Sequence, residues 1–286
     1  MSGLTSKGLR VPKTIKLFIG GEFPRTESGR SFPVTEAGSE KPFAHLCRGS
    51  RKDVRNCVTA AQAALPSWEH RSAYNRGQIL YRMAEMTEGK REEFKETLLA
   101  LGSNEAESDR QIDDAIDAFV YYAGFSDKFQ SLIGTVNPVS GPHHNFTTPE
   151  PVGVVALILD EKASLGEIVA SLSAILVGGN TVVALIPGSL GALLAPLAEV
   201  FATSDLPKGV VNLLSGHTDE LATQFGMHME IQSLSFQSAD SVLLGKLREL
   251  GAENMKRVVP RVKAPLSLEH ILAFNELKTV WHPVGY

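Results

Sequence analysis

The sequence predicts an α/β protein with a Rossmann-like, doubly wound parallel sheet in its second half, and three observations carry that prediction. Glu150-Pro-Val-Gly-Val-Val opens a run that stays apolar through Leu159, the pattern of a strand buried on both faces. Extended stretches then alternate with helical ones. The strands fall at 154–159, 181–185, 210–214, 234–236 and 257–259, and the helices at 165–176, 190–201, 219–225 and 241–250. That alternation requires parallel strands joined by right-handed crossovers. The third observation is the end of the first strand, Asp160-Glu161-Lys162, because chemistry in such sheets sits at the strands' carboxyl ends.

In the first half, Lys16 to Val34 reads as a β-hairpin with turns at Gly20-Gly21 and Glu27-Ser28-Gly29. Ser50 and Asp53 have capping-box spacing ahead of a helix to about Ala64, where Pro66 is expected to stop it. Amphipathic helices follow over 72–90, 92–101 and 108–130, with Ile112, Ala115, Ile116, Phe119 and Val120 at helical spacing. Residues 131–149, rich in Gly, Pro and Asn, predict two extended segments joined by a Gly-Pro turn. The chain closes on an extended strand over Asn275–Val284. The expected division is an amino-terminal hairpin and helical segment (1–130), a β-flap (131–149), a Rossmann-like nucleotide-type domain (150–263) and a terminal assembly strand (264–286).

Composition narrows the class. A net charge of −4 with both signs interspersed gives no basic stripe, so a nucleic-acid surface is not expected. Met1–Thr14 lacks an apolar signal core, and the apolar region from Thr181 to Phe201 is broken by Pro187 and Pro196; neither secretion nor a membrane span is expected. The two cysteines, Cys47 and Cys57, provide no disulfide framework and suit a reducing cytoplasm. Cys47 reads as strand core and Cys57 as helix packing.

Several segments resemble the aldehyde dehydrogenase superfamily, in order along nearly the whole chain. Lys16-Leu-Phe-Ile-Gly-Gly-Glu-Phe is similar to that family's opening hairpin. Arg76-Gly-Gln-Ile-Leu-Tyr-Arg-Met-Ala and Tyr121-Tyr-Ala-Gly are similar to its helical segment. Glu150-Pro-Val-Gly-Val-Val, Gly179-Asn-Thr-Val-Val and Leu206-Pro-Lys-Gly-Val-Val-Asn resemble its nucleotide-domain signatures, and Lys278-Thr-Val-Trp-His-Pro its carboxyl-terminal strand.

The resemblance also implies where functional residues should stand, and this chain departs at each place. The family's oxyanion-binding Asn aligns with Lys162, a long point charge in place of a fixed amide. The Lys and Glu that hold the adenosine ribose align with Leu185 and Gly188. The Gly-Ser turn approached by the pyrophosphate aligns with Ser238-Ala239. Arg261 stands where the general base is expected, and a guanidinium accepts no proton. The catalytic domain with its Gln-x-Cys nucleophile is not found after Lys263, and neither cysteine has a matching context.

No catalytic residue, metal site or cofactor is therefore expected, and Lys162 and Arg261 are degenerate positions. His143-His144 reads as a solvated turn in place of a metal pair, His217 as a loop residue, and Asp160-Glu161 as capping residues in place of a carboxylate dyad. Joint anion binding by Lys162 and Arg261 stays open. The leading functional expectation is a non-catalytic subunit that self-associates or joins an active aldehyde dehydrogenase through the flap and terminal strand. The alternatives are NAD(P)-dependent aldehyde oxidation with groups from a partner subunit, and a nucleotide or anion sensor.

Overall fold

The computed structural model describes residues 12–285, so most of the amino-terminal stretch Met1–Thr14 lies outside the described residues. At the start, β1 (Lys13–Ile15) runs parallel to β3 (Pro42–Cys47), which pairs antiparallel with β2 (Ser31–Thr35). Of the hairpin expected over Lys16 to Val34, the first turn forms: Ile19 and Glu22 exchange backbone bonds of 3.0 Å around Gly20 and Gly21, whose φ angles of 62° and 78° suit glycine, and the Leu17 amide donates to the Pro24 carbonyl at 3.1 Å. Phe18, between Leu17 and Ile19, turns its backbone outward and exchanges bonds of 3.0 and 2.7 Å with Leu213 at the edge of the main sheet. Leu17 and Phe18 are buried there, which an isolated two-stranded ribbon does not offer.

The helical segment comprises α1 (Arg51–Glu69), α2 (Ala73–Gly89), α3 (Arg91–Ala100), α4 (Glu105–Phe125) and the short α5 (Phe129–Ile133). The Ser50–Asp53 capping box is formed, and the Thr26 hydroxyl also donates to Asp53 at 2.6 Å. Pro66 does not stop α1. It is exposed, and the last turn is held by Trp68, fully buried with its indole donating to the Leu176 carbonyl at 3.1 Å. The helix expected over 108–130 breaks near Ser126, whose hydroxyl donates to the Ala73 carbonyl. Arg76 is buried between α2 and the sheet domain. Its guanidinium donates to the carbonyls of Val177 (3.2 Å), Glu69 (3.3 Å) and Arg71 (2.7 Å).

β4 (Thr135–Asn137) and β5 (His143–Pro151) lead into β6 (Val154–Ile158), α6 (Leu165–Val177) and β7 (Thr181–Pro187). The helix expected over 190–201 begins as a 3-10 turn, Gly188–Leu193, before α7 (Leu194–Thr203). Then come β8 (Val211–Gly216), α8 (Thr218–Met227), β9 (Ser233–Phe236), α9 (Ser241–Ala252) and β10 (Arg257–Val259). These strands form one parallel sheet in the order β10-β9-β6-β7-β8. The chain winds outward from β6 first one way and then the other, so the crevice between β6 and β9 is the topological switch point.

The two motif asparagines are structural. Asn180 accepts from the Gly153 amide (2.9 Å) and donates to the carbonyls of Ile175 (3.2 Å) and Phe274 (2.9 Å). Asn212 accepts from the Gly20 amide (2.9 Å) and donates to the Gly209 carbonyl (2.7 Å). Each ties several chain segments together with its buried amide fully used.

After β10 the chain passes through α10 (Leu268–Leu272) to β11 (Asn275–Pro283), which pairs antiparallel with the whole length of β5. With β4 on the other side of β5, this makes a separate three-stranded flap. His143 and His144 lie in strand β5 opposite Pro283 and His282, not in a turn. Among the described residues no helix is long and apolar enough to cross a membrane.

Candidate functional site

The switch-point crevice is bridged by the protein's own side chains. β6 delivers Asp160, whose carboxylate accepts from the Lys162 amide at 2.9 Å. From the β9 side, the Ser238 hydroxyl and the Ala239 amide lie near enough to favour its ionised form. Burial opposes ionisation of Asp160, but the Lys162 amide and the neighbouring Ser238, Arg261 and Ala239 outweigh it and hold the carboxyl below its ordinary range. One residue further, at the start of α9, the Asp240 carboxylate accepts from the amides of Val242 (2.9 Å) and Leu243 (3.0 Å). The amides that a helix N-terminus presents to an anion are thus engaged by internal carboxylates. The expectation that Asp160 and Glu161 cap the following helix is corrected: neither caps α6. Ser164 does, in a capping box with Glu167.

The remaining predicted positions fall into two groups. Leu185 points away from the crevice into the apolar core, packed with Ile158, Val183 and Phe236. Gly188 has φ 57°, and a Cβ on it would meet the Glu161 carboxylate at 3.3 Å. Arg261 donates to Glu167 at 2.8 Å, so its charge is matched by the same carboxylate that completes the α6 cap. Lys162 is exposed and is not part of the cavity that Arg261 lines. The idea that these two cations form one anion site is therefore corrected: Arg261 is paired with a carboxylate, and Lys162 is not placed beside it in that cavity.

That cavity, about 520 Å³, opens at the carboxyl ends of β6 and β9. Its polar lining includes Asp160, Glu167, Ser171, Gln237, Arg261 and His270. Sequence reasoning missed Ser171, Gln237 and His270. Gln237 was legible as the residue just after a buried strand, and Ser171 as one turn beyond Glu167 on the same helix face. His270 gave no signal, since it arrives from a linker with no periodic pattern.

Neither thiol is near this cavity. Cys47 and Cys57 are buried in the core on the α1 side, and burial, reinforced by Asp53, pushes the Cys57 thiol well up. A thiol in that state is a poor nucleophile. Among the described residues no three His, Cys, Asp or Glu side chains are grouped to hold a metal.

A helix-flanked parallel sheet with its crevice at the strand ends defines a protein of the dinucleotide-binding fold class. The aldehyde dehydrogenase family pattern matches residues 23–261, and the chain belongs to that family. Mitochondrial benzaldehyde dehydrogenase of Antirrhinum majus is 32% identical over 252 residues, covering 85% of this chain and 46% of that protein. Mitochondrial 10-formyltetrahydrofolate dehydrogenase of Mus musculus is 29% identical over 259 residues, covering 88% of this chain and 28% of that one. The NAD+ complex of an aldehyde dehydrogenase from Bacillus cereus superposes with a TM-score of 0.81 at 28% identity, covering 87% of this chain and 50% of that one. The chain spans about half the length of the curated relatives it matches, or less.

Proposed function

We propose that this chain is a non-catalytic member of the aldehyde dehydrogenase family, acting as a structural or regulatory subunit by assembly with a second copy or with a catalytic aldehyde dehydrogenase. The observation that carries this reading is the Asp160 carboxylate at the switch point, held ionised by the Lys162 amide and by Ser238, Arg261 and Ala239 around it. A pyrophosphate entering there meets a fixed negative charge and amides already in use. The other positions agree. Arg261 accepts no proton and is paired with Glu167, Lys162 is exposed, and both thiols are buried on the far side of the sheet.

Assembly is supported by the flap. Val136, Phe146 and Val280 sit directly opposite one another on its three strands, an apolar row on one face, and Val136 is 71% exposed. Leu277 and Trp281 stand on the other face, 58% and 60% exposed. β11 is an edge strand, bordered within this sheet only by β5. Exposed aromatic and aliphatic side chains beside an open strand edge favour pairing with another chain.

Sedimentation velocity on the full chain tests the proposal, alone and mixed with a catalytic aldehyde dehydrogenase from the same source. A wild-type complex in either setting, lost in the double variant Val136→Lys, Trp281→Lys, is the expected result. A strictly monomeric chain that joins no such enzyme, or NADH formation from simple aldehydes by the chain alone, would overturn it.

A further inference from the structure

The flap's two adjacent histidines are parted by the strand that carries them. Successive residues on a strand point to opposite faces, and the rings follow. His143 stands edge-on to Trp281, with ring centroids 5.8 Å apart, on the face that also bears Leu277. His144 lies against Phe146 at 5.4 Å, on the face of the row Val136, Phe146 and Val280. The register instead brings His144 of β5 directly opposite His282 of β11, from the far end of the sequence.

Directly opposed residues of an antiparallel pair share a face, with Cβ atoms about 4.5–5.5 Å apart. Both histidines are exposed. Among the described residues no hydrogen bond or ion pair engages either imidazole. Two rings with free nitrogens therefore stand side by side in solvent, next to the apolar row.

Imidazole nitrogen is a preferred ligand of zinc-class ions, at about 2.0–2.1 Å, and zinc takes four ligands in a tetrahedron. One flap supplies two. No third His, Cys, Asp or Glu joins them, and no three such side chains are grouped elsewhere among the described residues. The other half of the coordination shell must come from outside the chain, and a second copy carries the same half. A two-fold interface brings the same patch of both partners together. With its axis along the strands, between β5 and β11, each histidine pair faces the other pair, and Phe146 of one copy meets Val280 of the next. Packed sheets stand about 10 Å apart, a gap of the depth that two facing layers of imidazole with an ion between them fill.

We propose that His144 and His282 form half of a site for a zinc-class metal ion, completed by the same pair from a second copy, so that the ion joins two flaps face to face. This rests on the assembly reading above and names what holds two copies together.

Sedimentation velocity of the full chain in EDTA, in Zn2+ and in Co2+ tests it, together with the metal content of the sedimenting species. The expected result is a dimer that is lost in EDTA and restored by either ion, with one ion per two chains. Co2+ in that dimer should show the intense visible absorption of a four-coordinate ion. His144→Ala and His282→Ala, both at exposed positions, should each lose the dimer and the Co2+ absorption, while His143→Ala keeps both. Sedimentation that does not change on adding Zn2+ would overturn the inference. So would one ion bound per chain without association, or equal losses in His143→Ala. A dimer equally strong in EDTA, abolished by the double variant Val136→Lys, Trp281→Lys, removes the metal site and leaves the assembly reading standing. A chain that stays monomeric in every condition and joins no catalytic aldehyde dehydrogenase removes both.

Discussion

The Ser238 hydroxyl, just past β9, lies close enough to the Asp160 carboxylate, just past β6, to favour its ionised form. Ser238 stands where the family resemblance implies a glycine, and Asp160 lies two residues before Lys162, where it implies an asparagine. The two departures therefore fall side by side at the switch point. Asp160 also accepts from the Lys162 amide, and Asp240 accepts from two more amides at the start of α9.

Removing that internal charge should reopen the anion site. In the double variant Asp160→Asn, Ser238→Gly the switch-point charge is gone and the backbone is no longer obstructed by a side chain. Pyrophosphate, expected to give no thermal shift with the wild-type protein, should raise the melting temperature of this variant in a concentration-dependent way. The same series in the Asp160→Asn variant alone should give a smaller rise.

Arg76 is the clearest stability prediction. At 4% exposure its guanidinium satisfies three carbonyls where α1, α2 and the end of α6 meet. Burial pulls its pKa down and Glu69 raises it, yet an arginine stays charged in this range. Arg76→Met keeps the length but strands the carbonyls, and should cost about 2–4 kcal/mol. Urea titration should show a lower midpoint with an unchanged slope.

His270 gives a pH dependence with a defined sign. Burial lowers its pKa from 6.5, only partly offset by the bond to Pro265. The unfolded chain then binds the proton more tightly than the folded one between that depressed value and 6.5. The histidine's contribution is present in full above 6.5 and is lost as pH falls below it. The facing titratable group is Tyr122, whose own pKa is raised by burial, so it stays neutral throughout this window. Urea stability of the wild-type chain should fall more steeply between pH 6.5 and 5 than that of His270→Gln, with pH 6.5 taken from the ordinary histidine value. Equal slopes would show that His270 is not held neutral by the fold.

The sheet was legible because its strands are apolar on both faces, and burial on both faces is what a central parallel strand needs. The Asn180 and Asn212 motifs were legible for a related reason: their amides bind backbone groups of distant segments, so the fold itself requires them. Local chemistry located the Ser50–Asp53 cap. Tertiary burial decided what sequence missed. Trp68 carries α1 past Pro66, and the edge of β8 takes up the outward backbone groups of Phe18 in its hairpin. In the site, Arg261 and Lys162 were named as positions, but their partners were not predictable. Glu167 was hidden as a helix-cap residue, and His270 reaches the cavity through a linker with no periodicity.

Isothermal calorimetry of the full chain with NAD+ and with NADP+ tests the closed crevice most directly. No binding heat at millimolar dinucleotide is the expected result, with the aldehyde dehydrogenase from Bacillus cereus as the positive control. Saturable binding of either dinucleotide, abolished when Ser238 is replaced by a bulkier residue, would place the cofactor in the crevice and contradict it.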